Sequence, residues 1–399
     1  MATFPVKWYA SDMQGAPNLG DTAAGALTAL LKAVLVTGFG TLTINSLVWD
    51  ATEGAAKATI AGGHAYLQDS VIEVSGASPA AYNGEHRAKK VSSTEVWFEL
   101  DGGNPGSAAS GAMSMKVAPL GWTLTHESAD GMVAIYRPTD VSASGNVSLR
   151  IDNTAFSGWT GTANAYLAKV AMVEDVVDIN TYTLIVEHRW PATGRYSDKR
   201  WDLVGDPQML YFLPAYATAN YQFVYCFGYL KSVKPGDRYH AVLSNYPSLL
   251  ATETTRNWAV NRGAANSAYG NPFPVFDNQS YQVLARAYTL LAGSPPVWWF
   301  KGLFTRFGNG LPAPNPADNA AYMIADPMMV LEGGGILRGY IPGLVQPLNT
   351  KAEWDRKNFG NMPALPGKIV RFILAGYAES QQTAGQITLM GFDLTGPWR

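Results

Sequence analysis

The chain of 399 residues carries 15% charged and 12% aromatic side chains, with a formal net charge of −2. With that balance neither nucleic acid nor an anionic membrane is an expected partner. A single cysteine, Cys226, excludes an intramolecular disulfide framework, and the length accommodates two or three domains.

Residues 1–55 read as an N-terminal segment holding one amphipathic helix. Asp21 or Thr22 can cap its start. Leu27, Leu30, Leu31, Val34 and Leu35 follow the spacing of a single apolar face. Gly38 can end the helix in a left-handed cap. The helix is expected to pack on its own β-structure. The longest apolar stretch is broken by Lys32 and is too short to span a bilayer. The opening MATFPVKWYAS lacks the basic and apolar layout of a secretory leader, so synthesis in a cytoplasm is expected.

Residues 56–120 read as a small β-module. Val71, Glu73 and Ser75 alternate with Ile72 and Val74, the period of a half-covered strand. Residues 76–84 are rich in Gly, Pro, Ser and Asn, so the chain must turn there. Asn83-Gly84 suits a tight hairpin turn with positive φ at Gly84. Residues 94–100 and 111–117 supply further strands. The product is a small antiparallel barrel or sandwich of about 60 residues, near the lower limit for an independent core. It is expected to lean on the rest of the protein or on neighbouring subunits.

Residues 121–399 read as a larger β-sandwich body, with the option of two subdomains. Short strands and close turns run from 121 to 152. Residues 168–177 fit either a strand pair or a short helix. Cys226 lies in an aromatic run and reads as a small buried hydrophobe. Lys234-Pro235-Gly236-Asp237 is a turn by composition. Residues 245–280, rich in Asn, Ser, Thr, Ala and Pro, read as a loop excursion. Strand-like runs return at 281–291, 296–304, 322–331 and 336–344, and a final pair covers 368–375 and 385–394. Trp298 and Trp299 are adjacent on one strand and point to opposite faces, one to the core and one to a neighbour. They also suit a sugar-stacking platform. The expected fold is therefore mainly β: a small antiparallel β-barrel or sandwich module, a larger β-sandwich body and one short N-terminal helix.

No chemical constellation emerges. His64, His86, His126, His188 and His240 are scattered, and none sits in a metal-binding pair. His126-Glu127 opens a string that lacks the second histidine of a zinc peptidase. The carboxylates cluster at Glu174, Asp175 and Asp178, and at Asp198, Asp202 and Asp206, without showing two acids facing each other across a cleft. Gly333-Gly334-Gly335 lacks the lysine of a phosphate loop. No catalytic, cofactor-binding or metal-ligating set is expected, and the chain is expected not to be an enzyme.

Several segments carry a resemblance. Residues 58–91 form one, through Gly63, His64, Tyr66, Val71, Val74, Gly76, Ala77, Pro79, Tyr82, Asn83, Gly84 and Val91; residues 391–399, GFDLTGPWR, form another. The opening Phe4-Pro5-Val6-Lys7-Trp8-Tyr9, Leu203-Val204-Gly205-Asp206 with Tyr211-Phe212, and Phe227-Gly228-Tyr229 extend it. These segments resemble virion structural proteins of tailed bacteriophages, in particular minor tail proteins of the tail tip and baseplate. The resemblance implies a non-enzymatic structural subunit located in the virion tail. Its implied partners are copies of itself in a ring or trimer and other tail or baseplate proteins. Alternatives are a receptor-binding or tail-fibre protein contacting host surface glycan or pilus, a neck or capsid-associated protein, and a glycan-degrading depolymerase. Few charges with many Tyr and Trp fit extensive subunit contacts, although large aromatic β-cores would produce the same composition. Trp398 is expected to insert into a pocket on its own body or on a neighbour, because an undocked terminus frays.

Overall fold

The computed structural model describes residues 4–19, 25–139, 145–154, 167–192, 200–215, 222, 224–244, 283–293, 298–302, 311–312, 314–326, 328–333, 335–349, 352–376 and 387–399. The helix cap expected at Asp21 or Thr22 and the excursion 245–280 lie outside these residues.

Strands with no polar face need cover on both sides, and the centre of the molecule is built from such strands. An antiparallel six-stranded sheet runs in the order Lys7–Ala10, Trp201–Gly205, Met209–Pro214, Tyr225–Tyr229, Ala241–Leu243 and Val283–Leu284. Every residue of these strands is buried. Alternation along the strands sends side chains to both faces. Phe212 and Tyr225 meet Trp190 at 6.1 and 5.9 Å, and Phe227 meets Trp122 at 5.9 Å. Tyr211 points the other way, onto Phe392 at 5.4 Å and Trp398 at 5.6 Å.

Each face carries a further antiparallel sheet. Trp190 belongs to a five-stranded sheet ordered Thr183–Pro191, Leu167–Glu174, Ser148–Asp152, Val133–Arg137 and Thr123–Glu127. The ambiguous run at 168–177 thus forms a strand through Glu174. It pairs on both sides, which a single amphipathic helix could not do. Phe392 belongs to a five-stranded sheet ordered Met323–Ala325, Leu344–Pro347, Ile387–Asp393, Leu365–Gly376 and Lys357–Met362. Here Ile373, Met390 and Phe392 join the main core, while Val370, Phe372 and Leu389 form a satellite cluster with Trp354 and Phe359. A four-stranded sheet completes the body: Lys231–Ser232, Ile336–Tyr340, Met328–Glu332 and Trp298–Gly302.

The small module is a seven-stranded sheet ordered Phe39–Thr43, Ser114–Val117, Val71–Ser75, Gly84–Val91, Glu95–Phe98, Ala55–Thr59 and Ser46–Asp50. It includes two strands from the segment that the sequence reading placed before residue 56. Its two edge strands are consecutive in sequence. At the corner between them, Ile44 N–H donates to Met113 and Asn45 N–H to Thr59. The sheet curls but does not close into a barrel. Its interior residues Leu47, Ile72, Val74, Val96, Phe98 and Met115 belong to the same continuous core as the body. The module therefore leans on the rest of its own chain, as its size requires.

The helix spans Ala26–Lys32 and continues as a π turn, Ala33–Thr37. Leu27, Leu30, Leu31, Val34 and Leu35 are all fully buried, each contributing roughly 1.5–3 kcal/mol. The wider π turn leaves carbonyls without helical partners. Leu120 N–H donates to the Val34 carbonyl, and Gly121 and Trp122 N–H to that of Leu35. Gly38 ends the turn with φ 70° and ψ 176°, so the left-handed helical cap expected there is replaced by an extended exit.

Candidate interaction site

The opening strand, residues 58–91 and the C-terminus are distant in sequence and converge in space. Lys7 sits on the edge strand of the central sheet. Its ammonium donates to Glu85 at 2.5 Å and to the Pro119 carbonyl at 2.6 Å. The Trp8 indole donates to the Asp69 carbonyl at 3.1 Å. Arg87 donates to that same carbonyl at 3.0 Å and to the Leu394 carbonyl at 2.8 Å. Its guanidinium also lies 5.5 Å from the Phe4 ring centre. One arginine thus ties the opening segment, the 58–91 segment and the 391–399 segment together.

Trp398 docks on its own body. It is buried, its indole donates to the Asp393 carbonyl at 2.8 Å, and its ring lies against Gly343 and Tyr211. A Cβ at position 343 would fall 2.2 Å from the indole, and φ there is +74°, so only glycine leaves room. Arg399 pairs with Asp206 and donates to the Tyr229 carbonyl at 2.6 Å. Burial raises the Asp206 carboxyl above its ordinary value, and Arg399 offsets part of that rise.

The Gly-His-x-Tyr element has a local account. His64 Nδ1 accepts from the Tyr66 amide at 3.1 Å, and the Tyr66 hydroxyl lies 2.6 Å from the Met115 carbonyl and 2.7 Å from that of Gly40. The tyrosine therefore bridges two neighbouring strands. Asn83 fixes the next element. Its side-chain oxygen accepts from the Ala77 amide at 2.9 Å and its amide donates to the Ala77 carbonyl at 2.7 Å. This closes a wide connection over 76–83 that contains a short 3-10 turn, Ala80–Tyr82. The tight two-residue hairpin expected at Asn83-Gly84 is not formed. Gly84 does have positive φ, 112°, but it opens the next strand. Trp298 and Trp299 lie on one strand, in register with Glu332 and Leu331.

A second node, absent from the sequence reading, joins the central sheet to the C-terminal sheet. Asp202 is fully buried. Arg371 reaches it at 2.6 Å, Arg356 at 3.1 Å and Gln222 at 2.8 Å. Burial alone would raise the Asp202 carboxyl, but the two guanidinium groups outweigh it and hold the group below its ordinary value. Arg371 also stacks 4.0 Å from the Trp8 ring centre.

A groove of about 680 Å³ opens where the small sheet meets the central sheet. Phe4, Pro5, Leu120 and Pro207 give it apolar walls, and Lys7, Glu85, His86, Glu99 and Asp101 bring charge and polarity. Burial lowers the Lys7 ammonium, opposed by Glu85, and lowers the His86 imidazole, which stacks on Phe98 at 4.5 Å. Burial pushes the Cys226 thiol up to about 12, which keeps it protonated and unreactive at neutral pH. Among the described residues no three His, Cys, Asp or Glu side chains gather as a metal site, and no helix is long and apolar enough to cross a membrane. No family model matches the chain, and no curated protein does.

Proposed function

We propose that the chain is a non-enzymatic structural subunit of a tailed-bacteriophage virion, sited in the tail tip or baseplate, where it meets copies of itself and other tail proteins. The observation that carries this reading is that the phage-like segments are one another's contacts. Lys7 with Glu85, Arg87 with Leu394 and Arg399 with Asp206 join residues drawn from those segments. Segments used this way hold a shape, whereas a catalytic family gathers its motif around a reacting centre. The aromatic composition is a weaker support than it first looks, because Trp8, Trp122, Trp190, Trp201 and Trp398 are buried in the chain's own core.

Mass spectrometry and immunogold electron microscopy of washed particles test the reading. The expected result is labelling at the distal tail end, in a copy number that is a multiple of the tail symmetry. Absence from the particle, or labelling at the neck or capsid, overturns it. So does hydrolysis of polysaccharide, peptide or nucleotide that one carboxylate substitution abolishes. The alternative is a receptor-binding or tail-fibre protein. The exposed Tyr288, whose amide donates to Glu332 of the four-stranded sheet at 2.9 Å, favours it, since aromatic surfaces suit glycans. A glycan array with specific, saturable binding would select this alternative.

A further inference from the structure

We propose that the groove between the small sheet and the central sheet receives the loop 287–293 of a second copy of this chain, in a head-to-tail contact. The proposal rests on the subunit reading above, in which the chain meets copies of itself.

The charges of the groove are already matched. Glu85 is paired with Lys7 at 2.5 Å, Glu99 with Lys89 at 3.5 Å, and Asp101 is partnered as well. The His86 imidazole meets the Tyr82 carbonyl at 3.0 Å. A charged occupant would lose water here without gaining a counter-ion. What the groove still offers is the apolar wall of Phe4, Pro5, Ala81, Leu120 and Pro207, around a volume of about 680 Å³, which falls in the range of established binding sites. Its occupant is therefore uncharged and apolar.

The loop from Ala287 to Gly293 has that chemistry, with no charged residue along it. Tyr288 is 45% and Leu291 73% exposed. A buried charge network holds the loop in place. Arg338 donates to the Arg286 carbonyl at 2.8 Å and to Glu332 at 2.6 Å, and Glu332 accepts from the Tyr288 amide at 2.9 Å. Arg286 in turn pairs with Glu174. Leu290 is kept at φ 64°, a strained conformation for a bulky residue. An exposed tyrosine and leucine on a fixed loop lose little freedom on docking.

Placement makes the groove another copy's. Across the central sheet, Lys7 pairs with Gly205, Gly205 with Leu210, Met209 with Gly228 and Tyr229 with Ala241, and the Ala285 amide donates to the Ala241 carbonyl. Lys7 lines the groove, and Ala285 leads into the loop. Groove and loop thus stand at the same end of the sheet, beside its first and sixth strands. Five strand spacings, about 24 Å, separate them, more than residues 289–293 span from the anchored Tyr288. Two different surfaces meet in such a contact, so it repeats from copy to copy and can close a ring.

Sedimentation velocity of the full chain tests the contact. The wild type is expected to self-associate below about 1 mM. Leu291→Asp brings a charge to the apolar wall, and Ala81→Trp fills the groove from its exposed turn. Each should weaken self-association at least about tenfold at an unchanged melting temperature. Mixing the two variants reads the sense of the contact. The Leu291→Asp chain keeps an intact groove and the Ala81→Trp chain an intact loop, so the mixture should form a dimer of one chain of each that does not grow further. A wild type that stays monomeric up to about 1 mM leaves the groove to another occupant and overturns the proposal. So does self-association unchanged in either variant, or a mixture that stays monomeric. Unchanged self-association would leave the subunit reading standing, whereas absence from washed particles overturns that reading whatever the loop does.

Discussion

In the seven-stranded sheet, Val71–Ser75 and Gly84–Val91 keep one face in contact with water, and their charges sit there in half-exposed pairs such as Lys116 with Glu73 at 3.1 Å. In the six-stranded sheet both faces are covered, and Asp202 is held by two guanidinium groups and an amide. The difference shows what coverage does to polar residues. On a wet face a charge needs no specific partner, and pairing stabilises little. Between two layers every charge has lost its water, so it must be matched or it destabilises the whole stack.

The sharpest way to break the contrast is Asp202→Leu. It leaves Arg371 and Arg356 without their anion and should lower stability by about 3–5 kcal/mol in chemical denaturation. Adding Arg371→Met should recover part of that loss. Trp398→Ala removes a buried indole from between Gly343 and Tyr211 and should lower stability by about 3 kcal/mol, with a matching drop in the melting temperature. Deleting 395–399 should impair particle assembly more than it alters circular dichroism. On the wet-faced sheet, Gly84→Val meets no neighbour within 4 Å, so its cost is the strain of φ 112° alone, about 1–2 kcal/mol in thermal unfolding.

A pH titration sharpens the comparison further. Burial pushes the His188 imidazole down to about 3 from its ordinary 6.5, and neither ring nitrogen has a hydrogen-bond partner among the described residues. Between those values the unfolded chain binds a proton that the folded chain refuses. The associated stability is complete above the ordinary pKa and is lost as pH falls toward the folded one, amounting to about 1.4 kcal/mol by about pH 5.5. His188→Leu should therefore unfold with a shallower acid slope and differ little at neutral pH. The smallest expected effect is Glu73→Gln, whose melting curve should move by less than about 0.5 kcal/mol in stability.

These differences also explain what the sequence could disclose. The helix face from Leu27 to Leu35 and the alternation at Val71–Ser75 were legible because each pattern is set by which side meets water. The run at 168–177 was not legible, because an element covered on both faces loses the polar stripe that separates the two periods. Asn83-Gly84 misled for a different reason. The turn signal was real, but the Asn83 side chain closes on the Ala77 backbone six residues away and holds a wider loop open. The need for Trp398 to dock was legible; the pocket was not, since Gly343 and Tyr211 lie far from it in sequence. Arg371 and Asp202, 169 residues apart, left no local mark at all.

The span of these ties governs how the chain comes to be folded. Arg87 meets Leu394 across 307 residues, and Arg356 meets Asp12 across 344. Contacts of such sequence separation form late, because the intervening loops must close first. On a ribosome, the strand Lys7–Ala10 emerges long before its partner Trp201–Gly205, and the face that Phe392 covers stays bare until Ile387–Asp393 has been made. The nascent protein therefore spends most of its synthesis with apolar strands uncovered, which makes it a natural client for chaperones.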